Sequence, residues 1–229
     1  MKIEILQLLE GARIATGLAV VIDVFRAFST ACYAVGMGAG PVYPVGDIDL
    51  AFNLKERFPE ALLAGERNEQ PPEGFDFGNS PAHLLKAEIA GRPVIHTTSS
   101  GTQGLVNATR ADEVITGSFV NAGAIIQYIR ERNPEQLSLV CMGYACQYPT
   151  DEDTFCAEYI RNELTGQETG WESMVYRMRH GSGARFFEEK SQMWAPAEDF
   201  DLCLDRNRFN FVLKAVDEGG LLVLRKIRM

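Results

Sequence analysis

Leu-Ala-Val-Val-Ile-Asp-Val-Phe-Arg-Ala-Phe-Ser-Thr, residues 18–30, carries the pattern on which the fold turns. Val20, Val21 and Ile22 are apolar at successive positions, as in a strand buried on both faces. Asp23 and Arg26 then interrupt the apolar run, and a helix is expected from Ala27 onward. The same alternation extends in both directions. Strands are expected at 2–8, 18–25, 41–45, 61–65, 92–98, 112–116 and 136–142, and helices at 27–37, 48–58, 81–90, 102–109, 122–132 and 152–164. Strand followed by helix, repeated, demands crossover connections and hence a three-layer α/β/α domain around a mostly parallel sheet. Asp47 can cap the helix at Ile48 and Pro59 stops it. Beyond about residue 165 the rhythm breaks. A helix is expected at 171–180 and a loop at Gly181-Ser182-Gly183. Segments 209–216 and 221–228 flank Asp217-Glu218-Gly219-Gly220 like an antiparallel hairpin, which makes the sheet mixed. Residues 1–229 read as a single α/β domain.

A chain of 229 residues, 46% of them hydrophobic, can bury a core that needs no disulfide or structural metal. The five cysteines form no CxxC pair, and their odd number argues against a secreted disulfide framework. With no signal-peptide pattern and no apolar stretch of membrane-spanning length, a cytoplasmic location is expected. A net charge of −9 speaks against unspecific nucleic-acid binding. An anionic ligand would therefore need local arginines or a divalent cation.

Four segments carry candidate chemistry. Asp23 stands at a strand's carboxyl end, where ligands of open α/β sheets bind, and Arg26 three residues later can grip an oxyanion. The alternative is that Asp23 caps the helix and Arg26 is solvated. The second segment, GERNEQPPEGFDFGNSP (65–81), repeats the acid-plus-arginine pairing in Glu66 and Arg67 and continues into a long loop. Asp76 there is a candidate acid or a turn former, and Asn79 and Ser80 are candidate ligand contacts or helix caps. The third, HTTSSGTQG (96–104), gathers Thr98, Ser99, Ser100, Gly101 and Thr102 into a potential nest for an oxyanion. His96 is expected in the core, His83 and His180 at the surface. The fourth, YPTDEDTFCAEYIRNEL (148–164), places Asp151, Glu152 and Asp153 in a helix's first turn, behind Thr150 as cap. Glu152 or Asp153 can instead complete a hard-metal site with Asp23, of a kind that suits Mg²⁺.

The chemistry of several phosphatase classes is missing. A cysteine nucleophile followed six residues later by arginine does not occur, since Gln147 follows Cys141 and Asn162 follows Cys156 at that offset. Phe25 stands where a haloacid-dehalogenase pattern requires a second aspartate. The ordered set VIDVFRAFST (21–30), GERN (65–68), GFDFGNSP (74–81), TTSSGT (97–102), DEDTFCA (151–157) and APAEDFDLCLDRNRFNFV (195–212) resembles the 2-phosphosulfolactate phosphatase family. The chain departs from the family pattern at Asn68–Pro72, where members often carry a glycine-rich run, and at Ser100, where they often have asparagine. The resemblance implies an Mg²⁺-dependent phosphoric monoester hydrolase, associated with coenzyme M synthesis, acting on a small anionic phosphorylated acid. On the residues themselves, Asp23, Glu152 and Asp153 are expected as metal ligands and Arg26, Arg67, Asn79, Ser80 and the Thr98–Thr102 loop as substrate contacts, with Glu66 or Asp76 as a further ligand or proton carrier. Two other readings stay open: a non-catalytic module that senses a phosphorylated metabolite, and a phosphotransferase or lyase acting on a related acid. Self-association, as in a dimer, also stays open.

Overall fold

The computed structural model describes residues 1–229. From the N terminus the elements are β1 (Lys2–Gln7), α1 (Leu8–Ile14), β2 (Leu18–Ile22), α2 (Ala27–Gly36), β3 (Val42–Pro44), α3 (Ile48–Arg57) and β4 (Leu62–Gly65). They continue with α4 (Pro81–Leu84), β5 (Val94–Thr97), α5 (Gly101–Asn107), β6 (Glu113–Gly117), α6 (Ala122–Arg132) and β7 (Gln136–Cys141). The last third holds α7 (Asp151–Thr165), α8 (Trp171–His180), α9 (Glu198–Leu204), β8 (Phe211–Asp217) and β9 (Leu222–Arg228).

All nine strands join one sheet in the order β1-β7-β2-β6-β8-β9-β3-β5-β4. The first four are mutually parallel, as are β3, β5 and β4. The expected antiparallel hairpin, β8–β9, is the joint between these halves: it pairs antiparallel to β6 on one side and to β3 on the other. The halves therefore run in opposite senses. Five steps separate β2 from β5, and a twist of about 20–25° per step accumulates to more than 100° between them. That rotation turns strands of nominally opposite sense until the carboxyl ends of β2, β4, β5 and β7 reach one cleft.

Alternation along β2 shows how the sheet is covered. Val20 and Ile22 enter an apolar cluster with α6 and α7, whereas Ala19 and Val21 enter another with α2. The second cluster also takes Val42, Leu62 and Val94 from the far half, so the sheet curves around it. A smaller cluster on the opposite face of that half joins Leu63 and Ile95 to α3. No helix is long and apolar enough to cross a membrane.

Several boundaries differ from expectation for identifiable reasons. β2 ends at Ile22, because the Val24 N–H leaves the ladder and donates to the Asp153 side chain. α1 has no glycine or proline to announce it; Leu8, at φ 62°, turns the chain straight from strand into helix. α4 is a single turn rather than a helix over 81–90. Thr150 makes no side-chain cap to α7, and the Asp153 carboxylate that would complete the box accepts the Val24 N–H instead.

Candidate active site

The strand ends form a solvent-open cleft with about 510 Å³ of empty space. Of the residues singled out from sequence, Asp23, Arg26, Glu66, Asn79, Ser99, Ser100 and Glu152 line it, although they come from three separate loops and the first turn of α7. Asn68, Glu69, Gly143, Tyr144, Ala145 and Arg185, with Phe25, complete most of the wall. Asn68, Glu69 and Ala145 hold positive φ angles of 51°, 70° and 51°. Backbone strain of this kind costs on the order of 1–3 kcal/mol per residue and persists where the surroundings fix a loop for function.

Of the four acids on this lining, Asp23, Glu66 and Glu152 are each held differently. Asp23 Oδ1 accepts the Ala27 N–H at 3.0 Å, which caps α2. Gly101 packs against the same carboxylate, so closely that an added Cβ would lie 2.8 Å from Asp23 Oδ2 and 2.7 Å from Ala27 Cβ. Burial, aided by the charges of Glu66 and Glu152, raises the Asp23 pKa to about 7, against the pull of the Ala27 and Gly101 amides. Glu66 follows Gly65, whose φ of +147° and contact with the Thr97 carbonyl leave no room for a side chain. Its Oε1 accepts the Ser99 N–H at 2.7 Å, and its Oε2 accepts the Ser99 hydroxyl at 3.1 Å and the Glu69 N–H at 3.0 Å. Glu152, in the first turn of α7, is buried with Oε2 lacking any hydrogen-bond partner. Burial pushes its carboxyl up while the Arg185 guanidinium pulls it down.

The hydroxyl loop thus serves a protein carboxylate. Ser99 is engaged by Glu66, and Ser100 Oγ accepts the Cys146 N–H at 3.2 Å. Thr98 and Thr102 close on each other, with the Thr98 N–H on Thr102 Oγ1 at 2.9 Å, and do not reach the cavity. Further expected contacts also lie elsewhere. Arg67 turns away from the cavity to the Glu66 and Gly46 carbonyls and Thr97 Oγ1, bracing the loop from behind. Asp76 is exposed and accepts the Leu63 N–H at 2.8 Å, a backbone role at the edge of β4. Ser80 caps α4 and donates to buried Asp199. Asp153 shares none of the cavity with Glu152, because successive helix residues point about 100° apart. Its two oxygens accept the Val24 and Gly143 amides, each at 2.8 Å, tying the β2 loop to the β7 loop.

Arg185 is the residue that sequence reading missed. It enters from the irregular segment before α9, with Nη1 on Glu69 Oε1 at 2.8 Å and Nη2 on the Phe25 carbonyl at 3.0 Å. No periodicity or motif marks it.

Formally the lining carries four carboxylates, on Asp23, Glu66, Glu69 and Glu152, against the two guanidiniums of Arg26 and Arg185. A phosphorylated acid would meet net negative charge there unless a cation entered with it. The donor chemistry suits a hard divalent ion: carboxylate oxygens, one of them buried without a partner. No three acid, imidazole or thiol groups converge tightly enough to enclose an ion by themselves. A bound divalent ion would therefore draw part of its shell from water and substrate oxygens.

Comparison with known proteins gives a consistent picture. A family model described as 2-phosphosulpholactate phosphatase matches residues 3–218. The probable 2-phosphosulfolactate phosphatase of Thermotoga petrophila is 45% identical over 152 residues, which are 66% of this chain and 64% of that relative, slightly under two thirds of its length. The probable 2-phosphosulfolactate phosphatase of Caldanaerobacter subterraneus subsp. tengcongensis is 34% identical over 212 residues, covering 85% of this chain and 86% of its own. That of Bacillus subtilis is 29% identical over 213 residues, 91% of either chain.

Proposed function

The chain belongs to the 2-phosphosulfolactate phosphatase family, and on that premise we propose that it releases inorganic phosphate from a small phosphorylated acid, 2-phosphosulfolactate first among them, with the help of Mg²⁺. The observation that carries this reading is the meeting of Asp23, Glu66 and Glu152 with two arginines in one cavity. Asp23 and Glu152 would hold the ion, whose contribution is to neutralise phosphoryl oxygens as charge develops.

The remaining work falls to side chains. Three hydrogen bonds fix the Glu66 carboxylate and leave one lone pair on Oε1, so it can take a proton from an attacking water without reorienting. Arg185 uses Nη1 and Nη2 once each, and its remaining N–H groups are available to a substrate oxyanion. A thiol nucleophile is disfavoured. Burial raises the pKa of Cys146, the cysteine nearest the cavity, to about 11, which leaves almost no thiolate at neutral pH. In this reading water is the nucleophile: its oxygen bonds to phosphorus as Glu66 takes its proton, the ester P–O bond breaks, and the departing alkoxide takes up that proton, directly or through solvent, to leave as the hydroxy acid.

Phosphate release from a panel of phosphorylated hydroxy acids, with and without EDTA, tests the reading. Turnover that EDTA abolishes and Mg²⁺ restores is expected. Background release across the panel, or full turnover after exhaustive chelation, would refute it.

A further inference from the structure

Arg26 is buried, yet only one of its three nitrogens is engaged by the protein. Nη1 donates to Asp199 Oδ2 at 2.6 Å and to the Trp194 carbonyl at 2.7 Å. Nε and Nη2 make no hydrogen bond to the protein and are not sealed from solvent, and the residue lines the cavity. The Phe186 ring lies 5.6 Å from the guanidinium carbon. The unused Nε–Nη2 edge is the planar fork that recognises an oxyanion in bidentate fashion.

Asp199 holds more than this arginine. It is 0% exposed, and its Oδ1 accepts the Ser80 hydroxyl and the Ala82 N–H, each at 2.9 Å. One carboxylate from α9 thereby fixes the start of α4 beside Arg26. The residue before Ser80 is Asn79, also on the cavity wall. Its Oδ1 faces His96 Nε2 at 3.3 Å. His96 is fully buried and held neutral, its pKa lowered to about 4 by desolvation. With the Asn79 oxygen turned toward the imidazole, Nδ2 has no partner in the protein and remains available as a donor.

We infer that Asp199 is a positioning residue that holds Arg26 and Asn79 together as a subsite for one oxyanion group of the substrate, of phosphate, carboxylate or sulfonate type. The three terminal groups share the chemistry that a guanidinium fork and an amide N–H recognise. The inference rests on the proposed reaction for the identity of the ligand, but its geometry does not depend on turnover.

Calorimetric titration with inorganic phosphate, in buffer containing Mg²⁺, tests it on the full chain. The unaltered protein should bind phosphate. Asp199→Asn, which leaves the guanidinium poorly anchored, should weaken binding by about 10- to 100-fold, the loss of a charge-assisted pair. In an Arg26→Ala background the same change should cost less than in the parental protein, because only the hold of Asp199 on the Asn79 end remains to be lost. Should Asp199→Asn fail to fold, Arg26→Lys keeps the charge and its pairing with Asp199 but removes the fork, and should weaken phosphate binding by at least about tenfold. Lactate and methanesulfonate, titrated as competitors, tell whether the subsite takes the carboxylate, the sulfonate or the phosphate end. Wild-type phosphate affinity in Asp199→Asn or in Arg26→Lys, or no binding to the unaltered chain, would overturn the inference. Undiminished affinity in a protein that still releases phosphate would remove the subsite and leave the reaction standing.

Discussion

Replacing Asp153 by asparagine separates a structural clamp from a metal ligand. The side chain is 2% exposed, and each oxygen accepts one backbone amide at 2.8 Å, from Val24 and from Gly143. Asparagine keeps one acceptor and turns its NH₂ toward the other amide. The change loses a hydrogen bond to a charged group, about 1.5–3 kcal/mol, and strands a buried N–H at about 1–3 kcal/mol more. Burial, with the charges of Glu152 and Asp23, pushes the Asp153 carboxyl well up, so the neutral side chain escapes that repulsion. Taking the lower end of each loss leaves about 2 kcal/mol, or roughly 4–8 °C in Tm for a chain of this length. Thermal unfolding in Mg²⁺-free buffer measures it, and an Mg²⁺ titration of the folded protein should keep its parental midpoint. An unchanged Tm together with a tenfold higher Mg²⁺ requirement would refute the clamp and return Asp153 to the metal site.

Other perturbations follow from the same geometry. Gly65→Ala meets both a forbidden φ and the Thr97 carbonyl, so it should destabilise by more than about 2 kcal/mol, read as loss of soluble protein or a lowered Tm. Arg185→Ala, at a side chain about one fifth exposed, should lower kcat/KM by about 10²-fold while shifting Tm little, whereas Arg67→Ala should act mainly on stability. In metal-free buffer the raised Asp23 pKa makes the native state hold a proton that the unfolded chain gives up near pH 4. Its contribution is complete below that pH and is lost progressively as pH rises to about 7, so Tm should decline with rising pH up to about 7 and level off above it, and saturating Mg²⁺ should flatten the slope. His96 works in the opposite sense below that: its depressed pKa gives stability that is present above about 6.5 and lost as pH falls from there toward 4, so the Asp23 decline is read most cleanly between about pH 6.5 and 7.

What could be read from sequence is what periodicity and strand ends encode. Apolar runs such as Val20-Val21-Ile22 placed the parallel strands, and Asp23 and Glu66, the first acids beyond β2 and β4, lie on the cavity. Direction of projection was not legible. Glu152 and Asp153 are equivalent as symbols, yet one faces the cavity and the other grips two amides. The serines of the hydroxyl loop promised donors for a ligand, but only the fold shows that Glu66 occupies Ser99. Arg185 comes from a segment with little repeating pattern, and Asp199, although inside the 195–212 stretch, has nothing that tells it from its neighbouring acids. The place of β8–β9 between the two halves of the sheet is set by long-range pairing with β6 and β3, which no turn signal records.

The most direct test is Glu152→Gln. The substitution preserves shape and removes charge from a buried oxygen that has no protein partner, so it should leave the Tm equal or higher. If Glu152 and Asp23 hold the ion that the reaction needs, Mg²⁺ binding by calorimetry should weaken at least about tenfold and phosphate release should fall by about 10²-fold or more. Parental Mg²⁺ affinity and parental phosphate release in a folded Glu152→Gln protein would contradict the account at its centre.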